Sequence, residues 1–104
     1  LNAVDAIPEE GGVLRIVTAL VKAKLMDGKR QPVVRIEFSD TGAGIAPETL
    51  PRLFEPLFST KAHGSGFGLF TSYQIIAAHH GQITATSQVG AGTTFTILLP
   101  VEQP

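Results

Sequence analysis

The chain has 104 residues, 43% of them hydrophobic and 16% charged, with a formal net charge of −1 at pH 7. That length holds one domain, residues 1–104, with apolar content enough for a core that buries roughly two thirds of the surface an unfolded chain exposes. The near balance of acids and bases gives no electrostatic basis for a general affinity toward nucleic acid or anionic lipid. The chain has no cysteine and three histidines, which excludes disulfide frameworks, iron–sulfur clusters and thiolate chemistry, and the histidine spacing does not suit a structural zinc site. No run approaches the roughly 20 apolar residues of a membrane span. The expected location is the cytoplasm, with any membrane anchor lying elsewhere in a longer parent protein.

Residues 1–7 read as the end of a helix, stopped by Pro8 and the Gly11-Gly12 pair. No capping residue precedes it and two turns alone are unstable in water, so the expectation is a helix continued from upstream. Residues 13–24 are β-branched and alternating, the turn Asp27-Gly28-Lys29 follows, and residues 33–38 read as the hairpin partner. Val34, Ile36 and Phe38 face one way and Arg35 and Glu37 the other, as in a sheet with one buried face. A glycine-rich loop, 40–45, leads to a short helix bounded by prolines at 47–54. Residues 55–68 show no regular pattern. A helix is expected over 69–80, with Gly68 before it and Gly81 after it. Strands at 82–87 and 93–99, joined by Val89-Gly90-Ala91-Gly92, close the chain. The order predicts an α+β two-layer sandwich with helices on one face of a mixed or antiparallel sheet.

Two glycine-rich loops carry the chemical signal, because glycine lets backbone N–H groups approach phosphate oxygens that a Cβ would hold away. Gly64-Ser65-Gly66-Phe67-Gly68-Leu69 runs into a helix, whose unpaired N–H groups and positive dipole end favour an anion. The loop does not end in Gly-Lys-Ser/Thr and does not open a βαβ unit, so a Walker ATPase and a Rossmann dehydrogenase are both poor readings. What remains is an ordered series: Asn2; Asp40-Thr41-Gly42-Ala43-Gly44; Leu53-Phe54-Glu55-Pro56-Leu57-Phe58; Gly64 through Gly68; and Gly90-Ala91-Gly92-Thr93-Thr94-Phe95.

Over essentially its whole length this series resembles the ATP-binding catalytic domain of sensor histidine kinases, in the superfamily shared with DNA gyrase B, the Hsp90 chaperones and the MutL proteins. The resemblance implies the two-layer α/β sandwich of that family, with a mixed sheet. In its vocabulary residues 1–6 look like the end of the N box, 40–45 the G1 box, 53–58 the F box and 64–69 the G2 box. It further implies that Asp40 accepts the exocyclic amine of adenine, where guanine carries a repelling carbonyl. Gly42, Gly44 and Ile45 would form the turn against the nucleotide. Asn2 would give its amide oxygen to Mg²⁺, with Asp5 one turn further along the same face. Lys61, Ser65 and the backbone of Gly64, Gly66, Phe67, Gly68 and Leu69 would meet the phosphates of ATP, neutralising charge in phosphoryl transfer. Thr94 and Phe95 would serve the sheet and the pocket floor. Phe54 and Phe58 would anchor the lid over residues 46–63, meet the helix that carries the phosphoacceptor, or pack in the core.

None of His63, His79 and His80 fits the family's acceptor motif, and His79 and His80 close a helix, where imidazolium suits the negative dipole end. The resemblance therefore implies a kinase domain that delivers the γ-phosphoryl group of ATP to a histidine on a separate dimerisation domain, with a response regulator receiver domain downstream. An ATP-driven conformational switch, as in the chaperone and mismatch-repair relatives, is the alternative, and the short 53–61 run favours the kinase. The family's N box begins about a turn before Leu1 and its first strand earlier still, so the chain is expected to be part of a longer domain. Phe67 stands where a smaller aliphatic residue is usual.

Overall fold

The alternating runs on either side of Asp27 build a long hairpin. In a computed structural model that describes residues 12–55 and 68–101, strand β1 (Leu14–Lys24) pairs antiparallel with β2 (Arg30–Asp40). The Asp27 carboxylate accepts the Lys29 amide at 2.9 Å and the Gln31 side-chain amide. The Lys29 amide is the main influence holding that carboxyl below its ordinary range.

β2 begins at Arg30 and so runs through Pro32, further than the residues 33–38 expected of it. The Val101 amide donates to the Pro32 carbonyl at 3.2 Å, so the N–H that proline lacks would face the same way, past the last residue of the neighbouring strand. That side is the one away from β1, so the pairing of β1 with β2 loses no bond at Pro32 and the strand continues.

Strands β3 (Gln82–Gln88) and β4 (Gly92–Pro100) complete a four-stranded sheet in the order β1-β2-β4-β3. Every pairing among the described strands is antiparallel. Of the two sheet types left open by the sequence, the described strands therefore form the antiparallel one, and the mixed sheet implied by the resemblance finds no parallel pair among them.

Register assigns the faces. Leu14, Ile16 and Leu20 of β1 share a face with Val34, Ile36 and Phe38 of β2, with Phe95, Ile97 and Leu99 of β4, and with Ile83 of β3. The other face carries Arg35 and Glu37, paired at 3.0 Å, and Ser39 bonded to Thr94 at 2.9 Å. Val33 lies on this second face, opposite Val21 and Pro100, and is fully buried.

Helix α1 (Gly68–Ala78) lies on the apolar face beside β3. It starts one residue earlier and stops two residues sooner than the expected 69–80. Its stop has a definite geometry: His80 takes φ 65°, its amide donates to Ala77, and the Gly81 amide donates to Ile76 at 2.9 Å. Those two bonds form a Schellman motif with histidine, not Gly81, at the left-handed position. The expected helix at 47–54 is reduced to a 3-10 turn, Leu50–Arg52, with Pro51 at its start and no side-chain cap from Thr49. So short a segment cannot offset the cost of nucleating an α-helix. Phe54 follows it and packs between Tyr73 of α1, at 5.9 Å between ring centroids, and Phe95 of β4, at 6.5 Å. The expected helix at 1–7, Phe58 and most of the irregular stretch at 55–68 lie outside the described residues.

Because His80 holds a left-handed conformation that costs a side chain with a Cβ about 1 kcal/mol or more, His80→Gly should stabilise the domain by roughly 0.5–1 kcal/mol. Urea denaturation reads this directly. A midpoint at or below that of the wild type would refute strain at this helix end.

Candidate functional site

The predicted residues that the structure describes gather at one end of the sheet, where β2 runs out into the glycine-rich loop. Asp40, the last residue of β2, is 6% exposed, and its Oδ1 accepts the Gly42 amide at 2.8 Å. This bond turns the chain and fixes the carboxylate, the usual behaviour of an acid at the start of such a turn. Among the described residues Oδ2 has no hydrogen-bond partner. The loop is tied back to β1 by the Thr41 amide on the Val13 carbonyl at 3.1 Å and the Val13 amide on the Thr41 hydroxyl at 2.9 Å.

The loop is also fastened to the β3–β4 turn. Ala43 accepts the Gly90 amide at 2.8 Å, and Ile45 donates its amide to the Ser87 hydroxyl at 2.7 Å. The two turns touch through their backbones at two glycines. A Cβ on Gly44 would run into the carbonyl of Gln88, and a Cβ on Gly92 into the carbonyl of Asp40 itself. Gly44 and Gly92 also take φ of 80° and 117°, values that L side chains rarely adopt. Glycine is therefore required twice over at both positions.

Register decides which threonine stands by the acid. Thr93 of β4 lies directly opposite Asp40, on the same face, and is 5% exposed. Thr94, the residue expected at the pocket floor, lies opposite Ser39 and bonds its hydroxyl on the far face. The expectation for Thr94 is therefore corrected: successive strand residues alternate between faces, and it is Thr93 that reaches the Asp40 side. Counting by twos back from Phe95, whose aromatic ring belongs to the apolar face, would have found it.

Gly42, Gly44 and Ile45 lie in the loop that follows Asp40. Gly68 opens α1, and Leu69 lies one turn before Tyr73, which packs against Phe54. Since α1 ends in the tight turn into β3, its N-terminal end points back toward the Asp40 end of the sheet. Asn2, Asp5, Lys61, Gly64, Ser65, Gly66 and Phe67 lie outside the described residues. At the opposite end of the sheet a groove of about 450 Å³ opens between α1 and the hairpin turn, lined by Leu25, Tyr73, Ile76 and His80 among others. It holds none of the predicted site residues.

The arrangement is a sheet end bearing one fixed, buried carboxylate whose second oxygen has no described partner, a buried hydroxyl on the residue opposite it, and two turns pressed together. It suits a planar ligand that presents a hydrogen-bond donor. The chain and its fold have counterparts among known proteins. The family model described as histidine kinase-, DNA gyrase B- and HSP90-like ATPase matches residues 1–103. The chain is 39% identical over 102 residues to sporulation kinase E of Bacillus subtilis, and 40% identical over 101 residues to the sensor histidine kinase ZraS of Escherichia coli. These matches cover 98% and 97% of the chain but span only 13% and 20% of those proteins. Among solved structures, full-length ShkA in complex with AMPPNP is similar with a TM-score of 0.77 at 26% identity, covering 99% of the chain and 20% of that one.

The contact between the two turns yields a paired expectation. Gly90 and Gly92 both take positive φ, but a Cβ on Gly90 meets open space. Gly90→Ala should therefore cost roughly 1 kcal/mol, the backbone term alone, whereas Gly92→Ala should cost several kcal/mol or prevent folding. Thermal unfolding of the two variants side by side checks this, and equal losses would refute the contact.

Proposed function

The chain belongs to the histidine kinase-, DNA gyrase B- and HSP90-like ATPase family, and we propose that it is the ATP-binding catalytic domain of a two-component sensor histidine kinase. In this reading it transfers the γ-phosphoryl group of ATP to a histidine on a separate dimerisation domain of the same kinase. The observation that carries it is Asp40: buried, anchored through Oδ1 and with Oδ2 turned to no described partner, it is built to accept a donor from a ligand. The exocyclic amine of adenine is such a donor. The ShkA structure, similar over nearly all of the chain, was solved with AMPPNP, which supports a nucleotide in the corresponding place.

Asp40 then selects the base, and Gly42, Gly44 and Ile45 supply the close-fitting turn against it. The phosphates would run toward the N-terminal end of α1, where Gly68 and Leu69 begin the helix. With Gly64, Ser65, Gly66 and Phe67 they offer backbone N–H groups and a hydroxyl, and Lys61 offers a charge. Asn2 is the residue proposed to hold Mg²⁺. An amide oxygen is a hard neutral donor that suits an ion otherwise bound by phosphate and water, and Asp5 one turn on would orient those waters. The ion supplies charge neutralisation on the transferring group. The protein's own part is positional, since phosphoryl transfer needs alignment more than covalent help.

The kinase reading stands ahead of a conformational-switch ATPase because the curated relatives described above are kinases by name. The dimerisation domain and a response regulator receiver domain are the proposed protein partners. A cytoplasmic site of action is proposed with them. No helix among the described residues is long and apolar enough to cross a membrane.

Two measurements test this function. Mixed with ATP, Mg²⁺ and a cognate dimerisation domain, the chain should produce a phosphohistidine, labile to acid and stable to alkali. ATP hydrolysis without phosphoprotein would point to the switch class instead. Asp40→Asn should weaken ATP binding by about 1–3 kcal/mol through loss of the charged acceptor. Unchanged affinity in calorimetry would remove Asp40 from the site.

A further inference from the structure

Ser87 belongs to none of the motifs in the sequence, yet among the described residues its hydroxyl is the most heavily used side-chain group at the site. It accepts the Ile45 amide at 2.7 Å, donates to the Gly92 carbonyl at 2.8 Å and lies 2.8 Å from the Thr93 hydroxyl. A serine hydroxyl has one proton and two acceptor positions. The Gly92 carbonyl can only accept, so the Ser87 proton is committed to it. In the remaining contact Thr93 must then be the donor. Thr93 in turn has spent its only proton on Ser87, and toward the ligand side its oxygen can only accept.

Ser87, Thr93 and Asp40 lie in one row across β3, β4 and β2, on one face. We propose that Ser87 is a positioning residue for base selection: it fixes the direction of the Thr93 hydroxyl proton, so that Thr93 and Asp40 together present acceptors only, and it holds the Ile45 end of the loop in place. A purine with an amine at that edge is matched by such a row. A purine with a carbonyl there meets acceptor against acceptor, and no rotation of Thr93 can relieve it while Ser87 keeps the proton. This inference rests on the reading of the site as a purine pocket.

Calorimetric titration of the 104-residue chain with ATP and with GTP tests it. The wild type should prefer ATP. Ser87→Ala frees the Thr93 proton and releases Ile45, and should cost about tenfold in ATP affinity while GTP affinity holds or rises, narrowing the preference by tenfold or more. Ser87→Cys, close in volume and a poor hydrogen-bonding group, should narrow it likewise, which covers the case in which the alanine variant does not fold. Ser87→Thr, which keeps the hydroxyl, should restore the wild-type ratio. A purely structural serine would lower the melting temperature in the first two variants and leave the ATP-to-GTP ratio untouched, and that result overturns the proposal. Rapid hydrogen exchange at the Ile45 amide of the wild type would also overturn it. Binding of neither nucleotide by the wild type is a different failure: it removes the purine pocket itself, and this inference with it.

Discussion

The site depends on one steric constraint, the absence of a side chain at Gly92. The carbonyl of Asp40 occupies the space a Cβ would need there, so the end of β2 and the start of β4 approach more closely than two ordinary residues allow. That approach sets where the carboxylate stands. It also brings the β3–β4 turn against the loop at 40–45, where Gly44 makes the second such contact. Hydrogen bonds at Ala43 and Ile45 then close the seam. Backbone packing is short-ranged and stiff, and so the acid is held more firmly than any single hydrogen bond would hold it.

The two ends of the sheet consequently differ in kind. At the Asp40 end, Asp40 and Thr93 are buried, Asp40 bonded to the Gly42 amide and Thr93 to the Ser87 hydroxyl, and among the described residues no side-chain nitrogen or oxygen closed off from solvent is left without a partner. At the hairpin end, Asp27 is engaged with Lys29 and Gln31 at the surface, and Met26 is 88% exposed. A buried polar cluster is stabilising only when its members are satisfied, and it then favours one arrangement over others. The Ser87, Thr93 and Asp40 Oδ1 groups meet that condition among the described residues, while Asp40 Oδ2 has no described partner and is the oxygen that a ligand would use.

Much of this was legible in the sequence, for reasons that differ by element. The four strands were readable because period-two alternation is local and the turns between them carry glycine and aspartate. Asp40 was readable because it opens a glycine-rich loop in a series of motifs in fixed order. The helix at 47–54 failed because proline at a helix start marks a boundary without supplying length. Pro32 hid the start of β2, since only the register shows that its missing N–H faces past the end of β4. His80 hid the helix end for a related cause: glycine is the common left-handed residue, and Gly81 beside it drew the eye. Thr94 was misplaced by a single residue, enough to send a strand side chain to the wrong face. Ser87 could not be found at all, because a serine in an alternating strand looks like any other polar residue until three partners converge on it.

That last case bears on how a small pocket discriminates between similar ligands. A single carboxylate can be met by water or by a shifted ligand, and the penalty for a wrong base is then modest. The penalty grows when neighbouring groups are barred from reorienting, because an acceptor facing an acceptor in a buried site leaves both unpaired, at about 1–3 kcal/mol each. A threonine hydroxyl free to rotate could turn its proton toward a carbonyl and remove that penalty. The Ser87 bond to Gly92 takes that freedom away from the second row of the site. The same glycine that lets the two turns touch also offers the carbonyl that fixes the proton. In the proposed reading, tight backbone packing and ligand choice thus trace to one residue, by two separate physical effects.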